Sequence, residues 1–338
     1  MARPKVYVTR IIPEPGLSML KECCDVEIHE SKDYPPSREE LIRKVRDKDA
    51  LLCLLTDKID AEVMDAAPNL KVVSTYSVGF DHVDIPEATK RGIYVTHTPG
   101  VLTDATAEFA IALMFAVTRR VVEADKIIRS GQWDKPWSPY FLTGLELRGK
   151  TVGLIGLGRI GLAVAKKLSG FDVKILYYDI ERRWEVETVL PNIQFADMDT
   201  VLRESDIVSL HVPLTKETYH LINEERLKKM KKTAYLVNTS RGPVVDTEAL
   251  IKALGEGWIA GAALDVFEQE PLPPNHPLTK FDNVVLAPHI ASATIEARQR
   301  MAELAARNLI AVLRGEMPPA LVNKDVLKVR PLEKVKMI

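Results

Sequence analysis

The run Thr151-Val152-Gly153-Leu154-Ile155, followed at once by Gly156-Leu157-Gly158-Arg159-Ile160-Gly161, constrains this chain more than any other stretch. A short uninterrupted run of β-branched and aliphatic residues reads as a buried strand, and residues 162–168 continue in a helical pattern. Glycines at this spacing between a strand and a helix have separate jobs. Gly156 permits a tight turn, Gly158 lets the backbone approach a bound group, and Gly161 lets helix and strand pack closely. The start of the helix, at Arg159 and Ile160, then offers free N–H groups and a positive dipole end to a pyrophosphate. The next strand, 173–178, ends at Asp179, eighteen residues after Gly161. A carboxylate about 20 residues on is where the adenosine ribose hydroxyls are held in NAD binders. Asp179 would repel a 2′-phosphate, which favours NAD over NADP, although Arg182 and Arg183 just beyond could neutralise one.

Alternation of strand and helix patterns runs along nearly the whole chain, the mark of parallel sheets wrapped in helices. In the first hundred residues the strands are 5–9, 26–29, 50–54, 71–75 and 93–96. Helical stretches lie between them, such as 37–46, where Ser37 and Glu40 have capping-box spacing. Residues 103–130 read as one long helix with Ala107, Ala110, Ile111, Met114, Val117, Val121 and Val122 on its apolar face and Gly131 as its stop. A second alternation begins at Gly149, with strands 151–155, 173–178, 207–212, 234–238, 259–264 and 284–286. A last helix, 294–314, ends at Gly315. A chain of 338 residues accommodates two such cores.

Charge and cysteine content narrow the function classes. With 46 Lys+Arg against 47 Asp+Glu, there is no basic excess to suit a nucleic acid or a membrane surface. Cys23, Cys24 and Cys53 form no CxxC or Cys/His cluster, so neither a disulfide framework nor a metal site is expected. The longest apolar run, 109–117, is about half a membrane span. The first residues read as a strand rather than a signal segment, and a cytoplasmic location is expected.

Three segments past later strands hold polar side chains at the strand ends where ligands bind in doubly wound sheets. They are Leu236-Val237-Asn238-Thr239-Ser240-Arg241-Gly242, Leu264-Asp265-Val266-Phe267-Glu268-Gln269-Glu270-Pro271 and Leu286-Ala287-Pro288-His289-Ile290-Ala291. Their order downstream of the glycine loop resembles the D-2-hydroxyacid dehydrogenase family. The match extends to Ser77-Val78-Gly79-Phe80-Asp81 and to Thr106-Ala107-Glu108 at the start of the long helix. The resemblance implies a catalytic set of Arg241, Glu270 and His289 acting on a small 2-keto or 2-hydroxy acid. The residue types suit that chemistry. Arg241 can hold a carboxylate and polarise a keto oxygen. His289, with a reference pKa of about 6.5, can give a proton to that oxygen. Glu270 can orient the imidazole and favour its protonated form. Histidines 29, 82, 97, 211, 220 and 276 take structural readings.

The same resemblance places Asp265 on the nicotinamide side and has Thr106, Pro213, Thr239, Ser240, Arg241 and His289 line the cofactor cleft. It gives the backbone of Val78 and Gly79 to the substrate carboxylate. Within the family the chain looks most like the glyoxylate and hydroxypyruvate reductases, through Trp137-Ser138-Pro139-Tyr140-Phe141-Leu142-Thr143-Gly144. Trp137 is the candidate to reach a neighbouring subunit's site. The expected architecture is α/β, with two doubly wound parallel-sheet domains. Residues 1–100 and 290–338 form a flavodoxin-like substrate domain, and 101–289 a Rossmann NAD domain, with the active site in the cleft. The helix over 103–130 is too apolar to stand in water, so a homodimer built on it is expected. Phosphoglycerate, D-lactate and phosphite dehydrogenases share the pattern and remain open, as does a dinucleotide-sensing corepressor-like protein.

Overall fold

The computed structural model describes residues 3–338. They divide into two compact units, one running through Leu102 and resuming over Ala293–Ile338, the other Thr103–Ser292.

The discontinuous unit is a five-stranded parallel sheet in the order β2-β1-β3-β4-β5, formed by β1 (Lys5–Val8), β2 (Asp25–Ile28), β3 (Ala50–Cys53), β4 (Val72–Thr75) and β5 (Tyr94–Thr96). Each strand is a short aliphatic or β-branched run, and β3 to β5 are buried along their whole length. The C-terminal segment is part of this unit. Helix Ile295–Leu313 lies on the sheet, with the Ser74 hydroxyl donating to the Ala305 carbonyl at 2.9 Å and Tyr76 to the Arg298 carbonyl at 2.7 Å. Asn323 then closes the β5 edge, accepting from the Val95 N–H at 2.8 Å and donating to the Ile93 carbonyl at 2.9 Å.

The second unit is a seven-stranded parallel sheet. Its strands are β6 (Thr151–Ile155), β7 (Lys174–Tyr178), β8 (Ile193–Phe195), β9 (Ile207–Leu210), β10 (Tyr235–Asn238), β11 (Gly261–Leu264) and β12 (Val284–Leu286). The order β12-β11-β10-β9-β6-β7-β8 puts β6 between β7 and β9, so the winding reverses beside β6. A crevice opens outside the strand ends at such a reversal, which is where the glycine loop begins. β8 has no counterpart in the sequence reading. It is a three-residue edge strand held by pairing to β7, too short for its alternation to stand out.

The expected single helix over 103–130 is two helices, Thr103–Thr118 and Val121–Arg129. The break has a tertiary cause. The Leu145 N–H, far along the chain, takes the Thr118 carbonyl at 2.9 Å, and Arg120 turns to a left-handed φ of 53°. Arg120 is held there by a two-pronged ion pair to Glu123, at 2.7 and 2.8 Å. The first helix buries Ala107, Ala110, Ile111, Leu113, Met114 and Val117 within its own unit, packed against helix Arg159–Leu168 and the sheet. Its apolar content is therefore accounted for without a second chain. The second helix buries no residue, and Val121, Val122 and Ile128 stay exposed. No helix among the described residues is long and apolar enough to cross a membrane.

Candidate active site

The glycine loop follows β6 as its sequence requires. Gly156 has φ +95°, and a Cβ there would lie 2.6 Å from the His211 carbonyl oxygen. A Cβ on Gly161 would lie 2.1 Å from the Gly156 oxygen, so a side chain at either position would push helix Arg159–Leu168 off the sheet. Gly158 differs, with nothing within 4 Å of where its Cβ would be. It is also the helix N-cap and supplies no side-chain bond to the first N–H groups, at Arg159 and Ile160. Open space at a helix start is what a pyrophosphate needs. Asp179, at the end of β7, accepts from the Leu157 N–H at 2.6 Å and the Ile180 N–H at 2.7 Å, which fixes its carboxylate beside the loop. Arg183 pairs with Glu185 at 2.5 Å, and Arg182 makes a two-pronged pair with Glu187 at 2.9 and 2.7 Å while its guanidinium lies over the Trp184 ring.

The ends of β9 and β10 bring further expected residues to this edge of the sheet. Pro213 follows β9, its carbonyl accepting from the Thr218 hydroxyl at 2.6 Å. After β10, Asn238 shapes the turn that contains Thr239, Ser240 and Arg241. Its amide oxygen takes the Ser240 N–H at 3.0 Å and hydroxyl at 2.8 Å, and its NH₂ donates to the Arg241 carbonyl at 2.9 Å. The Thr239 hydroxyl is buried with no partner among the described residues, a cost that a bound ligand would relieve. Together with the Gly158 opening and the Asp179 carboxylate, it fits a dinucleotide. Thr106 is buried in helix Thr103–Thr118.

Glu270 and His289 meet directly, with Oε2 and Nδ1 2.7 Å apart. The other Glu270 oxygen accepts from the Phe267 N–H at 2.9 Å, so the carboxylate is set by its own loop before it sets the imidazole. Burial pushes the Glu270 carboxyl up. The His289 hydrogen bond and charge, the Phe267 N–H and the Arg241 guanidinium outweigh that, holding it below the usual glutamate value. Glu270 is therefore an anion at neutral pH. His289 takes a left-handed φ of 55°, and with Nδ1 engaged it keeps Nε2 for other work.

Asp265 is engaged by the backbone in a way that its place in the sequence does not announce. Its side chain is fully buried, and its two oxygens accept from the Ile290 and Ala291 N–H groups, each at 2.8 Å. Its carbonyl also takes the His289 N–H at 2.8 Å. Burial raises its pKa, with those N–H groups and His289 pulling against the rise. Asp265 thus grips the turn that presents His289. Asn238 and the Phe267 N–H went unread in the sequence. An Asn at a strand end before a Ser was a usable turn signal, whereas a backbone donor leaves none.

Val78 and Gly79, in the other unit, form a fixed turn after β4. The Ser77 hydroxyl donates to the Gly79 carbonyl at 2.6 Å, and a His97 ring nitrogen lies 2.8 Å from the Val78 carbonyl. Trp137 is 83% exposed, in a segment without helix or strand that also exposes Trp133, Tyr140 and Phe141. No group of three or more His, Cys, Asp or Glu among the described residues could hold a metal ion.

Comparison with known proteins agrees with this geometry. Residues 111–291 match the family described as D-isomer specific 2-hydroxyacid dehydrogenase, NAD binding domain. A glyoxylate reductase of Thermofilum pendens is 88% identical over 338 residues, which is 100% of each chain. The crystal structure of a protein from Thermus thermophilus superposes with a TM-score of 0.87 at 49% identity, covering 94% of this chain and 99% of that one. An NADPH-dependent glyoxylate/hydroxypyruvate reductase from Sinorhizobium meliloti, solved with NADP and malonate, gives a TM-score of 0.84 at 35% identity over 96% and 98% of the two chains. With its glycine loop, its Glu270–His289 pair and these matches, the chain belongs to the D-isomer specific 2-hydroxyacid dehydrogenase family, whose members are nicotinamide-dependent oxidoreductases of small 2-keto and 2-hydroxy acids.

Proposed function

We propose that this protein reduces glyoxylate to glycolate and hydroxypyruvate to D-glycerate, using NADH in preference to NADPH. The observation that carries the reading is the 2.7 Å pair between Glu270 and His289 facing the Arg241 charge, on the sheet edge that also bears the glycine loop. The 88% identity to a glyoxylate reductase supports the substrate.

In this reading each turnover consumes one keto acid, one NADH and one proton, and yields the 2-hydroxy acid and NAD. The nicotinamide supplies the hydride when bound. Arg241 holds the substrate carboxylate and draws electron density toward the keto oxygen. His289 gives the proton from Nε2 to the developing alkoxide, and Glu270 keeps the ring oriented while it does so. Gly156, Gly158, Arg159, Ile160 and Gly161 take the pyrophosphate. Thr106, Pro213, Thr239 and Ser240 line the rest of the cofactor site, and Asp265 acts through the His289 turn.

The NADH preference rests on the Asp179 carboxylate, and on Arg182 and Arg183 already being paired with Glu187 and Glu185. A homodimer rests on the exposed apolar residues over 121–141, with the partner subunit's Trp137 walling the substrate pocket. Steady-state rates with glyoxylate, hydroxypyruvate, pyruvate and phosphohydroxypyruvate and both reduced cofactors test the proposal. A higher kcat/KM for pyruvate or phosphohydroxypyruvate would replace the substrate, and faster turnover with NADPH would reverse the cofactor.

A further inference from the structure

The loop that presents Glu270 presents a second glutamate two residues earlier, and that one also faces an imidazole. Glu268 Oε2 lies 3.2 Å from His220 Nε2, and its other oxygen accepts from the Thr247 N–H at 2.9 Å. Burial raises the Glu268 carboxyl, and Thr247 and His220 more than offset it, so it stays ionised. The groups facing His220 are Glu268, Asp246 at 3.7 Å from its Nδ1, and the Tyr219 ring stacked on it at 4.1 Å.

His220 is also tied to the arginine turn. It sits at a left-handed φ of 49°, and its N–H donates to the Pro243 carbonyl at 2.8 Å, two residues beyond Arg241. Ile222 continues that pairing, donating to the Val244 carbonyl at 3.0 Å and receiving the Asp246 N–H at 3.0 Å. Between the two turns stands Gly242, whose Cβ would lie 1.9 Å from the Phe267 carbonyl carbon and 2.5 Å from the Glu268 nitrogen. The arginine turn and the glutamate loop therefore touch backbone to backbone. The His220–Glu268 pair clips them together beside that contact.

We infer that His220 and Glu268 are positioning residues for the reaction, which hold Glu270 and Arg241 in register so that His289 and the substrate carboxylate meet in one geometry. The inference rests on the catalytic roles proposed for Arg241, Glu270 and His289. Both side chains of the clip are about 30% exposed, and a pair so placed adds little to global stability. Its effect falls on the loop instead. A small displacement of Glu270 reaches the transition state through His289, where errors in placement multiply.

The test compares His220→Ala, His220→Gln and Glu268→Gln with wild type, and includes His289→Asn. The expected result is a fall of about 10- to 100-fold in kcat for glyoxylate in His220→Ala and Glu268→Gln, with NADH affinity by fluorescence titration within about twofold. His220→Gln, whose amide can still donate to Glu268, should recover most of the rate. A kcat unchanged in both His220→Ala and Glu268→Gln overturns the inference. So does an equal loss in His220→Ala and His220→Gln that tracks a lowered Tm, because that is a purely structural role. If His289→Asn keeps full turnover, the underlying catalytic reading fails instead, and the two failures stay distinct.

Discussion

His289 and His220 face two glutamates of one loop, both at left-handed φ and both about a quarter to a third exposed. The local pattern is the same, and the surroundings differ. The Glu270–His289 contact is shorter, at 2.7 Å against 3.2 Å, and it lies within the field of Arg241 at the strand ends. The second pair lies against the start of helix Thr247–Gly255. His211 makes a third case. No carboxylate among the described residues pairs with it; a Ser209 hydroxyl lies 3.0 Å from its ring, and burial drives its pKa down to about 4. An imidazole in this unit thus faces a glutamate near a guanidinium, a glutamate at a helix start, or a hydroxyl, and its chemistry follows from that partner.

Substitution at His289 should separate the two imidazoles most sharply. His289→Asn should cut kcat by about 10²–10⁴ with NADH binding intact, the range for loss of a general acid. An unchanged rate would place His289 with the structural imidazoles. Next comes Gly242→Ala, which forces a Cβ into the Phe267–Glu268 peptide. It should lower kcat/KM for glyoxylate by about 100-fold, by parting Arg241 from Glu270. A normal kcat/KM there would show that the two loops need no such contact.

Smaller effects sharpen the contrast. The His211 pKa in the fold lies below its reference value of about 6.5, so the folded protein binds fewer protons than the unfolded chain between these values. That stability is complete above about pH 6.5 and is lost as pH falls toward 4, by no more than about 3 kcal/mol. Denaturant unfolding at pH 7 and pH 4.5 should show the loss in wild type and a smaller one in His211→Asn; equal losses would contradict it. The smallest shift is in cofactor choice. Asp179→Ser should raise the NADPH to NADH ratio of kcat/KM about tenfold, held down by the pairing of Arg182 with Glu187.

The strands and the glycine loop were legible because their signals are local. A buried β-branched run and three glycines between strand and helix constrain the backbone wherever they occur. The candidates Arg241, Glu270 and His289 were singled out by their order along the chain, and a 2.7 Å contact brings two of them together. What escaped depends on distant partners. The break at Thr118 needs the Leu145 N–H, β8 needs its neighbour β7, and the His220 clip needs a glutamate 48 residues away. The grip of Asp265 on the His289 turn escaped too, because it needs the N–H groups of Ile290 and Ala291, and backbone donors leave no mark in a sequence.

In the proposed mechanism Glu270 and His289 work as one proton-donating unit in keto-acid reduction. Its most direct test is the pH dependence of kcat/KM for glyoxylate with NADH in wild type and Glu270→Gln. Reduction needs a proton on the imidazole, so the rate should fall on the alkaline side. Removing the Glu270 charge, which favours the protonated ring, should move that fall to lower pH. An alkaline limb in Glu270→Gln that coincides with wild type would contradict the account.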